Sequence, residues 1–246
     1  MTTVRFVGSG DAFGSGGRLQ TCILVDDGGW RVLIDCGATS LVGLKGAGLD
    51  PATIDAIVVS HLHGDHFGGL PFLLLDAQLN SRRSGPLVLA GHAGLESRLR
   101  AAMEVLFPGS QRALELVEVR FVALEPGPAT PLMAASVAVF EVEHACGAPP
   151  FAIRLTTPSG AVVAYSGDTQ WTDALLDAAH EADLFIAEAY FHHKPIRWHL
   201  DYETLAANAD RLTARRTVIT HLSADLLARA DHLDLPVAHD GLVIEL

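Results

Sequence analysis

The residues best suited to chemistry lie together in the decapeptide SHLHGDHFGG, which directly follows an apolar stretch. Within six positions it contains His61, His63, Asp65 and His66. Two histidines two positions apart at a strand end can point to the same side, and Gly64 allows a turn that brings the second pair beside them. Imidazole and carboxylate donors without thiolate suit zinc, and also manganese or iron. The motif therefore predicts two neighbouring metal sites.

Two metal ions need about six to eight ligands in all, counting water, so further donors must come from elsewhere in the chain. Three other apolar stretches end in a suitable residue, namely His144, Asp168 and His221. Each is weak evidence alone, because a strand-end histidine is often a hydrogen-bonded surface residue and glycine followed by aspartate is often only a turn. Their shared position after strands and their order after the first motif together favour them as further donors.

The elements that must position these donors alternate between strands and helices. Short apolar runs broken by glycine predict strands in the first third, and spacings of three and four predict helices after it. The predicted strands are Val4–Val7, Thr21–Val25, Trp30–Ile34, Ile54–Val59, Leu87–Ala90, Leu116–Leu124, Ala134–Val142, Phe151–Thr156, Val162–Tyr165, Leu184–Ala187, Thr217–Thr220 and Leu242–Glu245. The main predicted helices are Phe67–Ser81, Gly94–Phe107, Thr172–Glu181 and Tyr202–Leu212. Two such meanders predict an α/β protein with two sheets packed face to face and helices outside. The linker-like stretch 125–131 is too short to separate domains, so a single domain over 1–246 is predicted.

The composition excludes several classes of protein. With 246 residues, 49% of them hydrophobic and 19% charged, the chain can bury a large core and is not disordered. No apolar run approaches the roughly 18 residues of a membrane-spanning helix, and the start MTTVRFVGSG lacks the features of a secretory signal. A cytoplasmic protein without membrane contact is therefore predicted. A net charge of −12 disfavours extended nucleic acid as a partner.

With these motifs the chain resembles the metallo-β-lactamase superfamily over essentially its whole length, and in particular ribonuclease Z and its relatives. The resemblance rests on the segments HLHGDH, SGDT and THLS, on His144, on LIDCG, and on the glycine-rich segment GSGDAFGSGGR. It implies the four-layer αββα sandwich of the metallo-β-lactamase fold and a centre of two divalent metal ions, with Zn²⁺ preferred over Mn²⁺ or Fe²⁺.

The resemblance also implies a division of the metal ligands. One metal is expected on His61, His63 and His144, and the other on Asp65, His66 and His221, with Asp168 bridging them. Asp65 is also expected to serve catalysis, because its carboxylate lowers the net charge near two cations. Asp35, in LIDCG, is the carboxylate expected to accept the second N–H of a metal-bound imidazole, although a turn aspartate would look the same in sequence.

Glu188 and His199 resemble the glutamate and histidine that ribonuclease Z-like phosphodiesterases use around the leaving group. An imidazolium paired with a carboxylate can protonate a departing alkoxide, so His199 is expected to be a general acid oriented by Glu188. A histidine at a helix entry or in a core is the alternative. Weaker candidates are Asp11 and Arg18 for substrate positioning and Tyr190, Trp171 and Trp198 for an apolar wall; His192 and His193 are expected in a surface loop.

Only 23 residues, 145–167, separate His144 from Asp168, where the tRNA-processing enzymes carry a long substrate-binding arm. The chain is therefore predicted to be a binuclear metal-dependent phosphodiesterase for a small or cyclic phosphodiester, with a hydroxide between the metals attacking phosphorus. The alternatives are a carboxylic ester, thioester or lactone hydrolase, a tRNA 3′-processing endonuclease, and a non-catalytic metal-stabilised binding protein. A homodimer is expected from the proteins that this one resembles.

Overall fold

Two β-sheets packed face to face form the framework of the protein, for which the computed structural model describes residues 1–194 and 196–246. The strands in chain order are β1 (Thr2–Gly8), β2 (Cys22–Asp27), β3 (Trp30–Ile34), β4 (Ala56–Val58), β5 (Leu87–Gly91), β6 (Val119–Ala123), β7 (Thr130–Leu132), β8 (Ala135–Glu141), β9 (Phe151–Thr156), β10 (Val162–Tyr165), β11 (Leu184–Glu188), β12 (Thr217–Thr220) and β13 (Val243–Glu245). The first sheet has the order β13-β1-β2-β3-β4-β5-β6, and the second has the order β12-β11-β10-β9-β8-β7.

Helices cover the outer face of each sheet. They are α1 (Ser40–Gly46), α2 (Gly64–Phe67), α3 (Leu70–Leu79), α4 (Leu95–Leu106), α5 (Ala113–Leu116), α6 (Ala174–Ala179), α7 (Tyr202–Ala207) and α8 (Ala224–Leu227). Short 3₁₀ turns lie at Ser15–Gly17, Pro51–Thr53, Ser110–Arg112, Ala209–Arg211 and Ala230–His232. None of the helices in the described ranges is long and apolar enough to cross a membrane.

The apolar side chains separate into three layers of core. Alternate residues such as Val4 and Phe6 of β1 meet Ile153 and Ile186 of the second sheet in the central layer. On the outer face of the first sheet, α3 and α4 bury their apolar sides, and on the outer face of the second sheet α6 and α7 do the same. This arrangement confirms the predicted αββα sandwich.

Several predicted elements differ from the structure for local reasons. The helix predicted over 202–212 ends at Ala207, and a 3₁₀ turn follows at Ala209–Arg211. The helix predicted over 67–81 is two helices, because Gly68 and Gly69 separate α2 from α3. The strand predicted from Leu116 begins only at Val119, since α5 occupies the preceding residues. The stretch interpreted as linker-like contains the start of β7, in which Pro131 is tolerated because β7 is an edge strand.

The strand directions bring the polar residues to one edge of the sandwich. Strands β10, β11 and β12 are parallel, so the residues that follow them emerge on the same side. Strand β8 runs in the same direction, since both β8 and β10 are antiparallel to β9. Strands β3 and β4 of the first sheet are parallel as well. The carboxyl ends of these strands therefore converge on the candidate site.

Candidate metal centre

Three histidines form the first group of donors at this edge. His61, His63 and His144 each offer one ring nitrogen, and these atoms lie within 4.8 Å of one another. Nε2 of His144 lies 3.0 Å from Nδ1 of His63. Nδ1 of His144 lies 2.8 Å from the carbonyl oxygen of Trp198, which can only accept, so Nδ1 carries the hydrogen and Nε2 is left to face the other histidines.

Four buried residues form the second group, namely Asp65, His66, Asp168 and His221. Nε2 of His66 lies 3.2 Å from Oδ2 of Asp65 and 3.3 Å from Oδ1 of Asp168. Nε2 of His221 lies 3.2 Å and 3.5 Å from carboxylate oxygens of the same two residues. Two imidazoles and two carboxylates thus converge on one point.

Asp168 lies between the two groups. Its Oδ2 is 3.9 Å from Nε2 of His61, a member of the first group, while its Oδ1 faces His66 of the second. Burial acts to raise the pKa of Asp168, but the charges of His221 and His66 outweigh burial and hold the pKa well below its ordinary value. Asp168 is therefore an ionised carboxylate shared by both groups.

The donor atoms fit a bound cation. Nε2 of His61, Nε2 of His66 and Oδ1 of Asp168 are buried without a hydrogen-bond partner among the described residues. Leaving such atoms unpaired is costly, and a metal ion would satisfy all three. Burial and the neighbouring charge of His66 lower the pKa of His61 well below its ordinary value, which favours the neutral imidazole that a metal requires. The cluster is thus able to bind metal.

Asp35 is hydrogen-bonded to His66 of the second group. It directly follows β3, is fully buried, and adopts a positive φ of 60° that few residues other than glycine, asparagine and aspartate tolerate. Its carboxylate accepts hydrogen bonds from Nδ1 of His66 and from the backbone N–H and hydroxyl of Ser60, each at 2.7 Å. The bond to His66 leaves Nε2 of that ring to face the metal site. Ser60 has no distinguishing signal in the sequence beyond its place before His61.

Glu188 and His199 form a hydrogen-bonded pair beside the cluster. Oε1 of Glu188, the last residue of β11, accepts from Nδ1 of His199, and its Oε2 accepts the backbone N–H of Thr169 at 2.8 Å. Burial acts to lower the pKa of His199, but the hydrogen bond and charge of Glu188 outweigh burial, and the pKa is raised. Nδ1 of His199 is 4.0 Å from Oδ2 of Asp168. The hydrogen bond to Glu188 therefore favours the protonated form of His199 at the edge of the cluster.

Trp198 connects this pair to the first group of histidines. Its φ of 78° is strained for a bulky residue, yet it directs the carbonyl oxygen at His144 while the next residue, His199, meets Glu188. The N–H of Trp198 lies 3.4 Å from Oε1 of Gln170. The side chain of Trp198 was a candidate for an apolar wall, whereas the structure shows its backbone contacting the site.

A cavity of about 340 Å³ opens over residues of both groups and over His199. Its lining is Ala12, Phe13, His63, Asp65, Asp168, Tyr190, Ile196, His199 and His221. One wall is apolar, and Tyr190 in that wall stacks on the ring of His199 with centroids 4.9 Å apart. Phe13, at 83% exposure, stands at the rim. None of the described lining residues is a lysine or an arginine.

The two other positioning candidates, Asp11 and Arg18, are absent from the described lining of the cavity. Asp11 instead accepts hydrogen bonds from the backbone N–H groups of Phe13 and Ser15, which shapes the loop that presents Phe13. Arg18 donates to the carbonyl oxygen of Ala238. Trp171, the third aromatic candidate, packs against the core of the second sheet. Phe13 and Ile196 line the cavity, although their place in the sequence gives no sign of it beyond the glycine-rich loop before Phe13.

Comparison with known proteins agrees with this geometry. A family model described as the anti-Pycsar protein Apyc1 matches residues 2–234. Ribonuclease Z of Methanosarcina acetivorans is 24% identical over 91% of this chain and 88% of its own length. Human tRNase Z, short form, has a solved structure with a TM-score of 0.79 and 25% identity, covering 99% of this chain and 98% of that one. The metallo-β-lactamase fold protein YhfI from Bacillus subtilis has the same TM-score at 21% identity, covering 100% of both chains. The fold is the metallo-β-lactamase fold.

Proposed function

Because this chain belongs to the family of the anti-Pycsar protein Apyc1 and is a ribonuclease Z-like, metal-dependent hydrolase, we propose that its substrate is a small or cyclic phosphodiester. The observation that carries this proposal is the hydrogen-bonded pair of Glu188 and His199 at the edge of the metal-binding cluster, in which the ring of His199 lines the cavity. A hydrolase that expels an alkoxide from a phosphodiester needs either a metal ion or a proton donor at the leaving oxygen, and His199 would be that donor.

The proposed cofactor is a pair of divalent ions, with Zn²⁺ preferred and Mn²⁺ or Fe²⁺ as alternatives. His61, His63 and His144 would hold one ion, and Asp65, His66 and His221 the other, with Asp168 shared. When bound, such ions lower the pKa of a water molecule and polarise a phosphoryl oxygen. The carboxylates of Asp65 and Asp168 reduce the net positive charge of the centre, which gives Asp65 its proposed part in catalysis.

The proposed proton donor is Nε2 of His199. Nδ1 of this ring is already engaged by Glu188, so Nε2 is the ring atom left to face a substrate in the cavity. The imidazolium gives its proton to the leaving oxygen as the phosphorus–oxygen bond breaks, and the negative charge of Glu188 stabilises the imidazolium beforehand. In a cyclic substrate the same proton is delivered to a leaving oxygen that stays tethered to the product.

The dimensions and charge of the site support a small substrate. A cavity of about 340 Å³ is near the lower end of the range for small-molecule sites. Its apolar wall of Tyr190, Phe13 and Ile196 suits a flat or apolar ring. The net charge of −12 opposes a long polyanion, which proteins normally hold by neutralising many phosphates.

The alternatives to this proposal differ in the substrate that the protein would turn over. Similarity to ribonuclease Z and human tRNase Z favours the tRNA 3′-processing endonuclease as the second candidate. A carboxylic ester, thioester or lactone hydrolase would use the same metal centre for attack on a carbonyl carbon instead of phosphorus. A binding protein without turnover would not need a proton donor such as the Glu188–His199 pair.

The test is a substrate panel combined with elemental analysis. Protein prepared without chelator and supplied in turn with Zn²⁺, Mn²⁺ and Fe²⁺ is assayed on bis-p-nitrophenyl phosphate, cyclic nucleotides and lactones. We expect close to two firmly bound transition-metal ions per chain and turnover of phosphodiesters. Turnover of lactones alone, or a folded protein that retains no metal, would contradict the proposal. The cytoplasmic location and the homodimer stay predictions from the sequence.

A further inference from the structure

A second cluster of metal-binding side chains lies outside the centre described above. His192, His193 and Glu203 each offer one donor atom, and the three atoms lie within 4.8 Å of one another. The sequence predicts a surface loop for both histidines, and nothing in the spacing of these residues indicates that Glu203, ten positions later, lies beside them.

The distance between the donor atoms of His192 and Glu203 suits two ligands of one metal ion better than a direct hydrogen bond. Nδ1 of His192 lies 3.6 Å from Oε1 of Glu203, which is too long for a hydrogen bond. This nitrogen is buried and has no hydrogen-bond partner in the part of the chain that the structure describes. Two ligands at about 2.1 Å from a tetrahedral zinc ion are about 3.4 Å apart, close to the observed distance.

The backbone holds these donors in place without a metal. The N–H of Glu203 donates to the carbonyl oxygen of His192 at 3.0 Å, and the ring of Tyr202 stacks on that of His192 with centroids 5.6 Å apart. Glu203 lies in the first turn of α7, which Asp201 caps through the N–H of Thr204. His193 follows directly and is exposed, so its ring can move to a metal without disturbing the core.

We propose that His192, His193 and Glu203 form a surface zinc site separate from the hydrolytic centre. Two imidazoles and one carboxylate are a ligand set of open zinc sites, in which water takes the fourth position. This site does not depend on the proposed phosphodiesterase activity, because none of its three residues lines the cavity over the hydrolytic centre.

Zinc at this site would restrain the segment that carries His199. The chain leaves the site after His193, passes through Ile196 and His199 at the cavity, and returns at Glu203. The N–H of Tyr190 already bonds to the carbonyl oxygen of Leu200 at 2.7 Å, which closes the base of this loop. A metal link between His193 and Glu203 adds a second closure, which lowers the freedom of the loop to open.

Zinc titration of full-length variants tests the proposal. The number of Zn²⁺ ions bound per chain is measured by competition with a chromophoric chelator for the wild type, His193→Ala and Glu203→Gln. His232→Ala is the matched control, because His232 is another exposed histidine and belongs to none of the donor clusters. We expect His193→Ala to bind one ion fewer than the wild type, Glu203→Gln to bind that ion at least about tenfold more weakly, and the control to be unchanged.

Hydrogen exchange gives a second readout that needs no activity. Zinc should slow amide exchange in peptides covering 190–203 of the wild type and of His232→Ala, and should have no such effect in His193→Ala. An equal number of bound zinc ions in the wild type and His193→Ala would overturn the proposal, as would equal slowing of exchange in both. The wild type and His193→Ala have the same hydrolytic centre, so the ions bound there do not contribute to the difference between them. A failure of the proposed function would therefore not produce either result.

Discussion

Single side chains in this protein are oriented by hydrogen-bond partners that are distant in the sequence. His199 is an example, since its ring is bound to Glu188 on one side and stacked on Tyr190 on the other. The same logic applies to His66, whose Nδ1 is engaged by Asp35 so that Nε2 faces the metal ligands. In both rings a buried carboxylate decides which nitrogen is free to act.

The partnership of Glu188 and His199 predicts a shift in pH dependence. Because Glu188 raises the pKa of His199, the acid stays protonated to a higher pH than an isolated histidine would. In Glu188→Gln the pKa of His199 falls, so activity toward an alkyl phosphodiester should begin to decline at a lower pH. The pH profile of kcat/KM measures this, with a p-nitrophenyl ester as the control whose profile should barely move. An unchanged decline with the alkyl substrate would refute the role given to Glu188.

At the scale of elements, Gly37 and Gly69 allow the segment that contains Asp65 and His66 to lie against the residues that follow β3. The N–H of Cys36 donates to the carbonyl oxygen of His66 at 2.6 Å, and the N–H of Gly69 donates to that of Cys36 at 2.8 Å. A Cβ at Gly69 would lie only 2.2 Å from the carbonyl oxygen of Gly37. This close approach is what fixes α2, and with it Asp65 and His66, beneath the cavity.

Substitution of Gly69 should therefore damage the site through the backbone. Gly69→Ala is expected to cost about 3 kcal/mol or more of unfolding free energy, lower the melting temperature by about 6–12 °C, and release metal. The matched control is Gly64→Ala, because Gly64 lies in α2 without the positive φ that its predicted turn could have used, and an added Cβ meets nothing within 4 Å. Thermal unfolding and metal content of the two variants are compared. Equal behaviour of both variants would mean that the contact with Gly37 does not hold the motif.

The sequence predicts local motifs well and tertiary contacts poorly. The decapeptide around His61 is complete within itself, so its donors could be predicted from spacing, and the layered α/β class follows from the alternation of strands and helices. His144, Asp168 and His221 are distant in sequence, so their shared position after strands only favours them as donors, and the resemblance to a family is what assigns each to a predicted metal site. The carbonyl of Trp198 contacts His144 through a positive φ that its residue type argues against.

Helix α1 shows the same limit for an element. The segment SLVGLKG forms this helix although it contains two glycines, which weaken a helix pattern, and none of the predicted helices covers it. The structure supplies the reason for one of them. A Cβ at Gly43 would lie 2.8 Å from Leu19 and 2.9 Å from Val7, so glycine is what lets α1 pack closely on β1. The helix depends on tertiary packing that its own residues do not encode.

At the scale of the whole molecule, the net charge and the short interval 145–167 restrict the choice of substrate more than the metal-binding cluster does. The chain carries 17 basic and 29 acidic residues, and the interval 145–167 is short where the resemblance to ribonuclease Z would lead us to expect a substrate-binding arm. We expect no efficient single-cut maturation of precursor tRNA at physiological salt, where protein–RNA attraction is already screened. Gel analysis of a precursor tRNA, with a cyclic nucleotide assayed in parallel on the same preparation, measures this. Efficient maturation with a correct 3′ end would favour the endonuclease instead.

The most direct test of the account is the effect of His199→Ala on two substrates that differ only in leaving group. The variant should retain its metal and lose about 10²- to 10⁴-fold of activity toward an alkyl phosphodiester, the usual contribution of positioned proton transfer. Its loss on the matching p-nitrophenyl ester should be much smaller, because p-nitrophenolate departs without a proton. Equal losses on both substrates, with metal content unchanged, would show that His199 supports binding or folding and would move a carboxylic ester hydrolase ahead of the phosphodiesterase.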